Sequence, residues 1–228
     1  DLGVHLNLTC GAPLRSMPKF APSGALPRLP EVLRLSLLGR LPAAEIAAEI
    51  NTQLDAFELV MRRAPDFIDG HQHVHALKGM RKIVLDVLRR RYSAQGARPY
   101  VRDCGDRVHR ILRRGAMAAK AMQVRHLTRG FGKELAGAGF SANDGFAGFS
   151  DFSPAAGYAG KFPSYLRAPG RRHLVMCHPG LVDDELASLD PVTDSREREL
   201  EFLAGDGLLR ACEAAGARMG RFAAPPRP

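Results

Sequence analysis

The sequence predicts an α/β fold built around a mainly parallel sheet. Segments with strand periodicity alternate with segments of helical periodicity, and reactive polar residues follow the predicted strands. The 228 residues suffice for one α/β barrel, and 45% of them are hydrophobic, which is enough for a buried core. Active sites of such barrels lie on the loops after the strands, so His5, His71 and His178 are the first candidates for functional residues.

The strand predictions rest on alternation and on short apolar runs that end at polar turns. In 2-LGVHLNLT-9 every second residue is leucine or valine, and His5 lies on the opposite, polar phase. The other predicted strands are a short one within 66–75 that runs into a loop, and the segments 98–103 and 173–180.

The helix predictions rest on apolar stripes and on charges that suit the helix dipole. Segment 42–63 has Pro42 at its start, glutamates in its first turns and two arginines at its end. Further helices are predicted over 79–91, 107–127, 195–204 and 207–215. The proline-rich segment 10–30 is predicted to be a long loop, and 130–165 to be partly irregular, with a loop that covers a site. We expect a single domain over 1–222 and a flexible tail over 223–228.

Cysteine usage and hydropathy predict a cytoplasmic protein. The four cysteines are far apart in sequence and show no C-x-x-C spacing, as expected for reduced thiols rather than a disulfide framework. No apolar run approaches the length that spans a bilayer, and no signal peptide is visible. The chain begins inside a strand-like segment, so we expect an upstream piece to be missing.

The net charge of +9 comes mainly from small arginine clusters. Without a nucleic-acid-binding motif these clusters are typical of solvated helix faces, and we expect no nucleic-acid partner. An anionic substrate would suit the same charge balance. The sequence does not fix the oligomeric state, and a homodimer is compatible with it.

Three histidines alternate in 67-FIDGHQHVHAL-77. In a straight strand they would be roughly 7 Å apart, too far to share one ion. A strand that ends at Gly70 would let a turn bring one or two of them inward. A catalytic zinc-type site needs about three protein ligands, so this segment predicts one ligand and requires others from elsewhere. His5 is the natural second ligand, although a hydrogen-bonded structural histidine fits its pattern too, and His178 also suits a strand-terminating turn.

These motifs together resemble the YdjC family of carbohydrate deacetylases. The resemblance rests on 3-GVHLNLT-9, 68-IDGHQHVH-75, 101-VR-102, 176-MCHPG-180 and 196-RERELEFL-203, in this order along almost the whole chain. It implies a (β/α) barrel of the deacetylase type and hydrolysis of the N-acetyl group of an amino sugar or chitooligosaccharide.

The resemblance also implies a divalent metal ion, zinc or magnesium, held by an aspartate and two histidines. The matching histidines here are His5 and His71. The metal would polarise the acetamide carbonyl and activate a water, a carboxylate would act as base, and His178 would protonate the leaving amine. The resemblance implies supporting roles, in orienting ligands or binding substrate, for Asp69, His73, His75 and Arg102.

One part of the family pattern is not in this sequence. The family opens with an N-A-D-D-F-G motif whose two aspartates supply the third metal ligand and the base. We therefore expect either that the first strand of the barrel is missing from this chain or that the chain is a degenerate, inactive member.

Two other functions stay open from the sequence. An amidohydrolase-type barrel also uses an H-x-H pair, but there the pair follows the first strand, whereas here a strand and a helix precede it. A non-catalytic sugar-binding or structural remnant is the alternative that the absent aspartate pair favours.

Overall fold

The computed structural model describes residues 1–92, 98–152, 157–190 and 192–222. Their contacts divide into two compact units. Among the described residues, the first unit contains 1–104, 127–142 and Phe222, and the second contains 105–126 and 143–221. Each unit has its own parallel strand pairing and its own buried side chains.

The first unit is built on a three-stranded parallel sheet. Its strands are β1 (Gly3–Leu6), β2 (Phe67–Gly70) and β3 (Tyr100–Val101), and they lie in that order. In the register of β1 and β2, His5 pairs with Asp69 and Leu6 with Gly70. The alternation predicted over 2–9 is confirmed within β1, because Val4 and Leu6 are buried whereas His5 is exposed. The strand is shorter than predicted, and Leu2, just before it, is exposed.

Helices α2 (Ala43–Met61) and α3 (Met80–Arg91) match the helices predicted over 42–63 and 79–91. The apolar stripe of α2 is fully buried at Ile46, Ile50 and Leu54. The first unit also contains α1 (Leu29–Leu37), which the sequence analysis missed, a 3₁₀ turn (His71–Ala76) and α6 (Phe131–Gly137).

The second unit contains a two-stranded parallel sheet of β4 (Gly145–Ala147) and β5 (His173–Val175). The helix predicted over 107–127 is instead two helices, because Gly115 adopts a left-handed backbone with φ of 71°. These are α4 (Val108–Arg114) and α5 (Ala118–Leu127), the last residue of which belongs to the first unit. The remaining helices are α7 (Gly157–Tyr165), α8 (Asp184–Leu189), α9 (Arg196–Ala204) and α10 (Gly207–Ala214).

The predicted mixed α/β class with parallel strands is confirmed. The strands among the described residues form two hydrogen-bonded sheets, one of three strands and one of two. Barrel closure, a missing first strand and the single domain over 1–222 stay predictions, and the predicted tail 223–228 lies outside the described residues. None of the helices in the described ranges is long and apolar enough to cross a membrane.

Candidate metal centre

His5 and Asp69 meet side by side because they are paired residues of two parallel strands. The Nδ1 atom of His5 lies 2.7 Å from Oδ1 of Asp69. An ionised carboxylate only accepts hydrogen bonds, so Nδ1 of His5 carries the proton and donates it. About half of the His5 side chain is exposed (52%), whereas that of Asp69 is nearly buried (11%). This contact therefore fixes the histidine ring, and Nε2 is the ring nitrogen that carries a lone pair.

Arg102 holds the other side of the Asp69 carboxylate. Its Nη1 atom lies 2.7 Å from Oδ2 of Asp69, and Nη2 donates to the carbonyl oxygen of Gly70 at 2.8 Å. Burial alone would raise the pKa of Asp69, but the hydrogen bond from His5 and the charge of Arg102 outweigh it and lower this pKa to about 2. Asp69 is therefore ionised at neutral pH and can orient His5.

The backbone turns sharply after β2 and separates the three histidines of the cluster. The strand ends at Gly70, and Gln72 and His73 both adopt left-handed backbone, with φ of 52° and 63°. As a result, the ring centres of His71 and His5 lie 5.7 Å apart, at an interplanar angle of 78°. The turn thus brings one histidine of the segment beside His5.

His73 and His75 lie in different surroundings from His71. Nη2 of Arg102 is 3.4 Å from Nδ1 of His73. His75 is fully buried, and its Nε2 atom donates to the carbonyl oxygen of Arg102 at 2.8 Å. Burial and the charge of Arg102 lower the pKa of His75 to about 3, so this ring is neutral. Because the ring is buried, a structural role for His75 is favoured over direct contact with a substrate.

Gly70 is required by the close approach of His75. A Cβ atom at position 70 would lie 2.8 Å from Nδ1 of that ring, closer than real Cβ contacts. Any larger residue at position 70 would therefore push the buried histidine away.

His178 lies in the second unit, after β5. Its backbone N–H donates to Oε2 of Glu199 at 2.5 Å, and its ring packs edge-on against Phe152 with ring centres 5.5 Å apart. Burial raises the pKa of the neighbouring Cys177 thiol to about 11, so that thiol is not a ready nucleophile at neutral pH.

Within the described residues, no group of three or more histidines, cysteines or carboxylates is arranged to hold a metal ion. The arrangement in the first unit is a pair of imidazoles supported by Asp69 and Arg102. Two imidazoles on one zinc ion have ring centres roughly 5–6 Å apart, so the spacing of His5 and His71 fits two ligands of such a site.

Comparison with known families decides the classification, because the profile described as YdjC-like protein matches residues 1–214. The chain belongs to the YdjC-like family. The resemblance inferred from the sequence motifs is therefore confirmed.

Relatives of this YdjC-like chain include proteins named chitooligosaccharide deacetylase. The one from Proteus mirabilis (strain HI4320) is 29% identical over 224 residues, which cover 97% of this chain and 76% of that protein. The one from Klebsiella pneumoniae (strain 342) is 28% identical over 222 residues, with the same two coverages. A third, from Enterobacter sp. (strain 638), is 36% identical over 83 residues, or 36% of this chain and 32% of that protein.

A solved structure supports the fold of the YdjC-like chain. A crystal structure from Enterococcus faecalis V583, of a protein proposed to cleave cellobiose phosphate, has a TM-score of 0.65 and 19% identity. The match covers 96% of this chain and 75% of that one.

The sequence analysis missed how helix α2 of this YdjC-like chain anchors the loop after β1. Glu49 is fully buried and accepts hydrogen bonds from the backbone N–H groups of Leu14 and Arg15. Glu45 accepts from the N–H groups of Lys19 and Phe20.

Gln53 extends this row of polar side chains to Asn7, the residue that directly follows the strand of His5. Its side chain exchanges two hydrogen bonds with the backbone of Asn7, at 2.9 and 2.7 Å. Polar residues at every fourth position of α2 were the available sequence signal, since this spacing places them on one helix face.

Proposed function

We propose that this chain is a metal-dependent hydrolase that removes N-acetyl groups from amino sugars or chitooligosaccharides. The observation that carries the proposal is the 5.7 Å separation of the His5 and His71 rings, with Asp69 bound behind His5. The relatives named chitooligosaccharide deacetylase, matched over 97% of this chain, support the reaction and the substrate class.

His5 and His71 would hold a zinc or magnesium ion as two of its protein ligands. Asp69 would fix the ring of His5 and increase its basicity, as carboxylates commonly do behind metal-bound histidines. Arg102 would keep Asp69 ionised. The third ligand and the general base would come from an aspartate pair, which the family places in its N-A-D-D-F-G motif and which this sequence does not contain.

The chemistry that a bound ion supplies is polarisation of the acetamide carbonyl and activation of a water. His178 would protonate the amine nitrogen as the bond to the acetyl carbon breaks, so that the amine leaves as a neutral group. His73, which lies beside Arg102, would contact the substrate. His75, which is buried, would support the turn after β2. The remnant and amidohydrolase alternatives are not favoured by the names of the relatives.

Metal uptake and acetate release test the two parts of this proposal separately. Purified protein and its His71→Ala variant would be dialysed against zinc, and their metal content measured by elemental analysis. His109→Ala is the matched control, because His109 is exposed on α4. We expect near-stoichiometric zinc in the wild type and the control but not in His71→Ala. Equal zinc in all three would exclude His71 as a ligand.

Acetate release would then be measured with N-acetylated chitooligosaccharides, with zinc or magnesium and after chelation. Reading the coding DNA upstream of Asp1 in frame decides which protein to assay. If that DNA encodes a strand ending in Asp-Asp, the extended chain should release acetate in a metal-dependent way. No release by the extended chain would contradict the deacetylase function. A stop codon upstream, with no such motif, would favour the sugar-binding or structural remnant.

A further inference from the structure

The turn that carries His178 is attached to the first turns of α9. The backbone N–H of His178 donates to Oε2 of Glu199 at 2.5 Å. Two residues later, the N–H of Gly180 donates to the carbonyl oxygen of Arg196 at 3.3 Å. The segment after β5 is therefore held at two points, and the shorter bond is the one from His178, the residue that bears the candidate acid.

Glu199 occupies a position where an apolar side chain would be expected. It is 2% exposed and is the one fully buried residue of α9, all of which is described. A buried carboxylate loses its hydration, and this loss is unfavourable unless hydrogen bonds and charges compensate it. Burial accordingly raises the pKa of Glu199, while the hydrogen bond from the His178 N–H opposes the rise.

Basic side chains around Glu199 favour its ionised form. The charges of Arg196 and Lys161 act to lower its pKa. Lys161 and Glu199 also line one small cavity, of about 10 Å³, together with Tyr158 and Ser195. A carboxyl acceptor therefore lies at a buried position, which an apolar residue would occupy without the loss of hydration.

We propose that Glu199 is a positioning residue for His178: its carboxylate fixes the backbone of the C-H-P-G turn and thereby the direction of the imidazole. This role rests on the proposed function, in which His178 protonates the leaving amine. Phe152, packed edge-on against the ring, limits its rotation from the side. The backbone bond fixes the point from which the side chain extends, and the ring contact restricts the rotation of the imidazole.

Two substitutions separate positioning from simple packing. Glu199→Met keeps the side-chain volume but removes the acceptor, and an apolar group of similar size is often tolerated in place of a buried charge. Glu199→Gln keeps an acceptor oxygen for the His178 N–H. Glu201→Ala is the matched control on the same helix, because Glu201 is exposed.

The first readout needs no activity: it is the amide hydrogen exchange and proton chemical shift of His178 by NMR. We expect a protected, downfield amide in the wild type, Glu199→Gln and Glu201→Ala, and an unprotected one in Glu199→Met. An unchanged His178 amide in Glu199→Met would overturn the proposal whether or not the chain is a deacetylase. Should Glu199→Met fail to fold, a His178 amide that exchanges in the wild type as fast as an unprotected backbone amide would overturn it.

The second readout is steady-state acetate release, measured on the extended chain if the upstream DNA encodes the aspartate pair and on this chain otherwise. We expect Glu199→Met to lower kcat by at least about tenfold with KM nearly unchanged, because an acid that acts in the transition state is misdirected. Glu199→Gln should recover most of this loss, and metal content should stay the same. An equal loss of kcat in Glu199→Gln and Glu199→Met would overturn the positioning role. So would a change in KM with no change in kcat. If no variant, including the wild type, releases acetate, the proposed function fails and the amide measurement still decides the role of Glu199.

Discussion

His5 and Asp69 form a hydrogen bond of 2.7 Å across two parallel strands, 64 residues apart in sequence. The same carboxylate is bound by Arg102, so one buried aspartate connects the candidate ligand to a buried cation.

Asp69→Asn should weaken zinc binding by about tenfold or more, because a neutral amide raises the basicity of His5 less than a carboxylate does. It should also lower the free energy of unfolding by about 3 kcal/mol, because the buried Arg102 loses its counter-ion. Calorimetric zinc titration and urea unfolding measure the two effects. Asp66→Asn, in a more exposed pair with Arg63, is the control and should leave zinc affinity unchanged. Unaltered zinc affinity in Asp69→Asn would argue against the support of His5.

His75→Ala should retain most of the zinc uptake but lose stability. The ring is fully buried and bonded to the backbone of Arg102, so its removal leaves a cavity and an unpaired carbonyl oxygen. We expect a loss on the order of 2–4 kcal/mol in urea unfolding. Loss of zinc as complete as that of His71→Ala, in a protein that remains folded, would make His75 a ligand instead.

The neutral state of His75 should make stability depend on pH. Its pKa is about 3 in the folded chain and near 6.5 when unfolded. Below pH 6.5 the unfolded chain therefore binds a proton that the folded chain does not. The contribution of the neutral His75 ring to the free energy of unfolding is fully present above pH 6.5 and is lost as the pH falls towards 3.

His75→Gln keeps a donor for the Arg102 carbonyl but does not titrate, so it serves as the reference for this effect. Between pH 7 and pH 5 the wild type should lose about 2 kcal/mol of unfolding free energy relative to the variant. Chemical unfolding at each pH measures the difference. Parallel stability curves for the two proteins would contradict the depressed pKa.

Glu49→Ala should expose the loop after β1 to trypsin at Arg15. The substitution removes the acceptor for the N–H groups of Leu14 and Arg15, a loss of about 1–2 kcal/mol of local stability. Cleavage should then be roughly five- to thirtyfold faster.

Glu45→Ala should have the corresponding effect at Lys19, since Glu45 binds that N–H group. Cleavage after the exposed Arg40 is the internal control in both variants. Faster trypsin cleavage after Arg40 as well as after Arg15 and Lys19 would indicate global unfolding rather than release of the loop.

The sequence predicted those parts of the fold that local periodicity determines. The strand of His5, helix α2 and helix α3 follow from alternation, apolar stripes and terminal charges. Helix α1 was missed although Pro30 lies at its first turn, a position that proline favours, because the preceding prolines suggested a loop. The break between α4 and α5 had a visible signal in Gly115.

The sequence could not determine contacts that depend on distant segments. The pairing of Asp69 with His5 and Arg102 follows from strand order and register, which one sequence does not specify. The left-handed backbone at Gln72 and His73 also has no local cause, since neither is a glycine. The histidine pattern predicted His5 and one member of the cluster as ligands, and the family resemblance selected His71. Both roles remain proposals, whereas the proximity of the two rings is a property of the fold.

The spacing of Glu45, Glu49 and Gln53 along helix α2 determines where the segment after β1 attaches to the helix. Its acceptors are spaced by four residues, about 6 Å along the helix axis, so the pitch of the helix sets where the neighbouring backbone can attach. Insertion of one residue between Glu45 and Glu49 would rotate part of the row by about 100° and misalign it. Insertions at the exposed residues 22–25 would leave the attachment points in register. Length variation among relatives should therefore accumulate in that short stretch and be rare in the first three turns of α2.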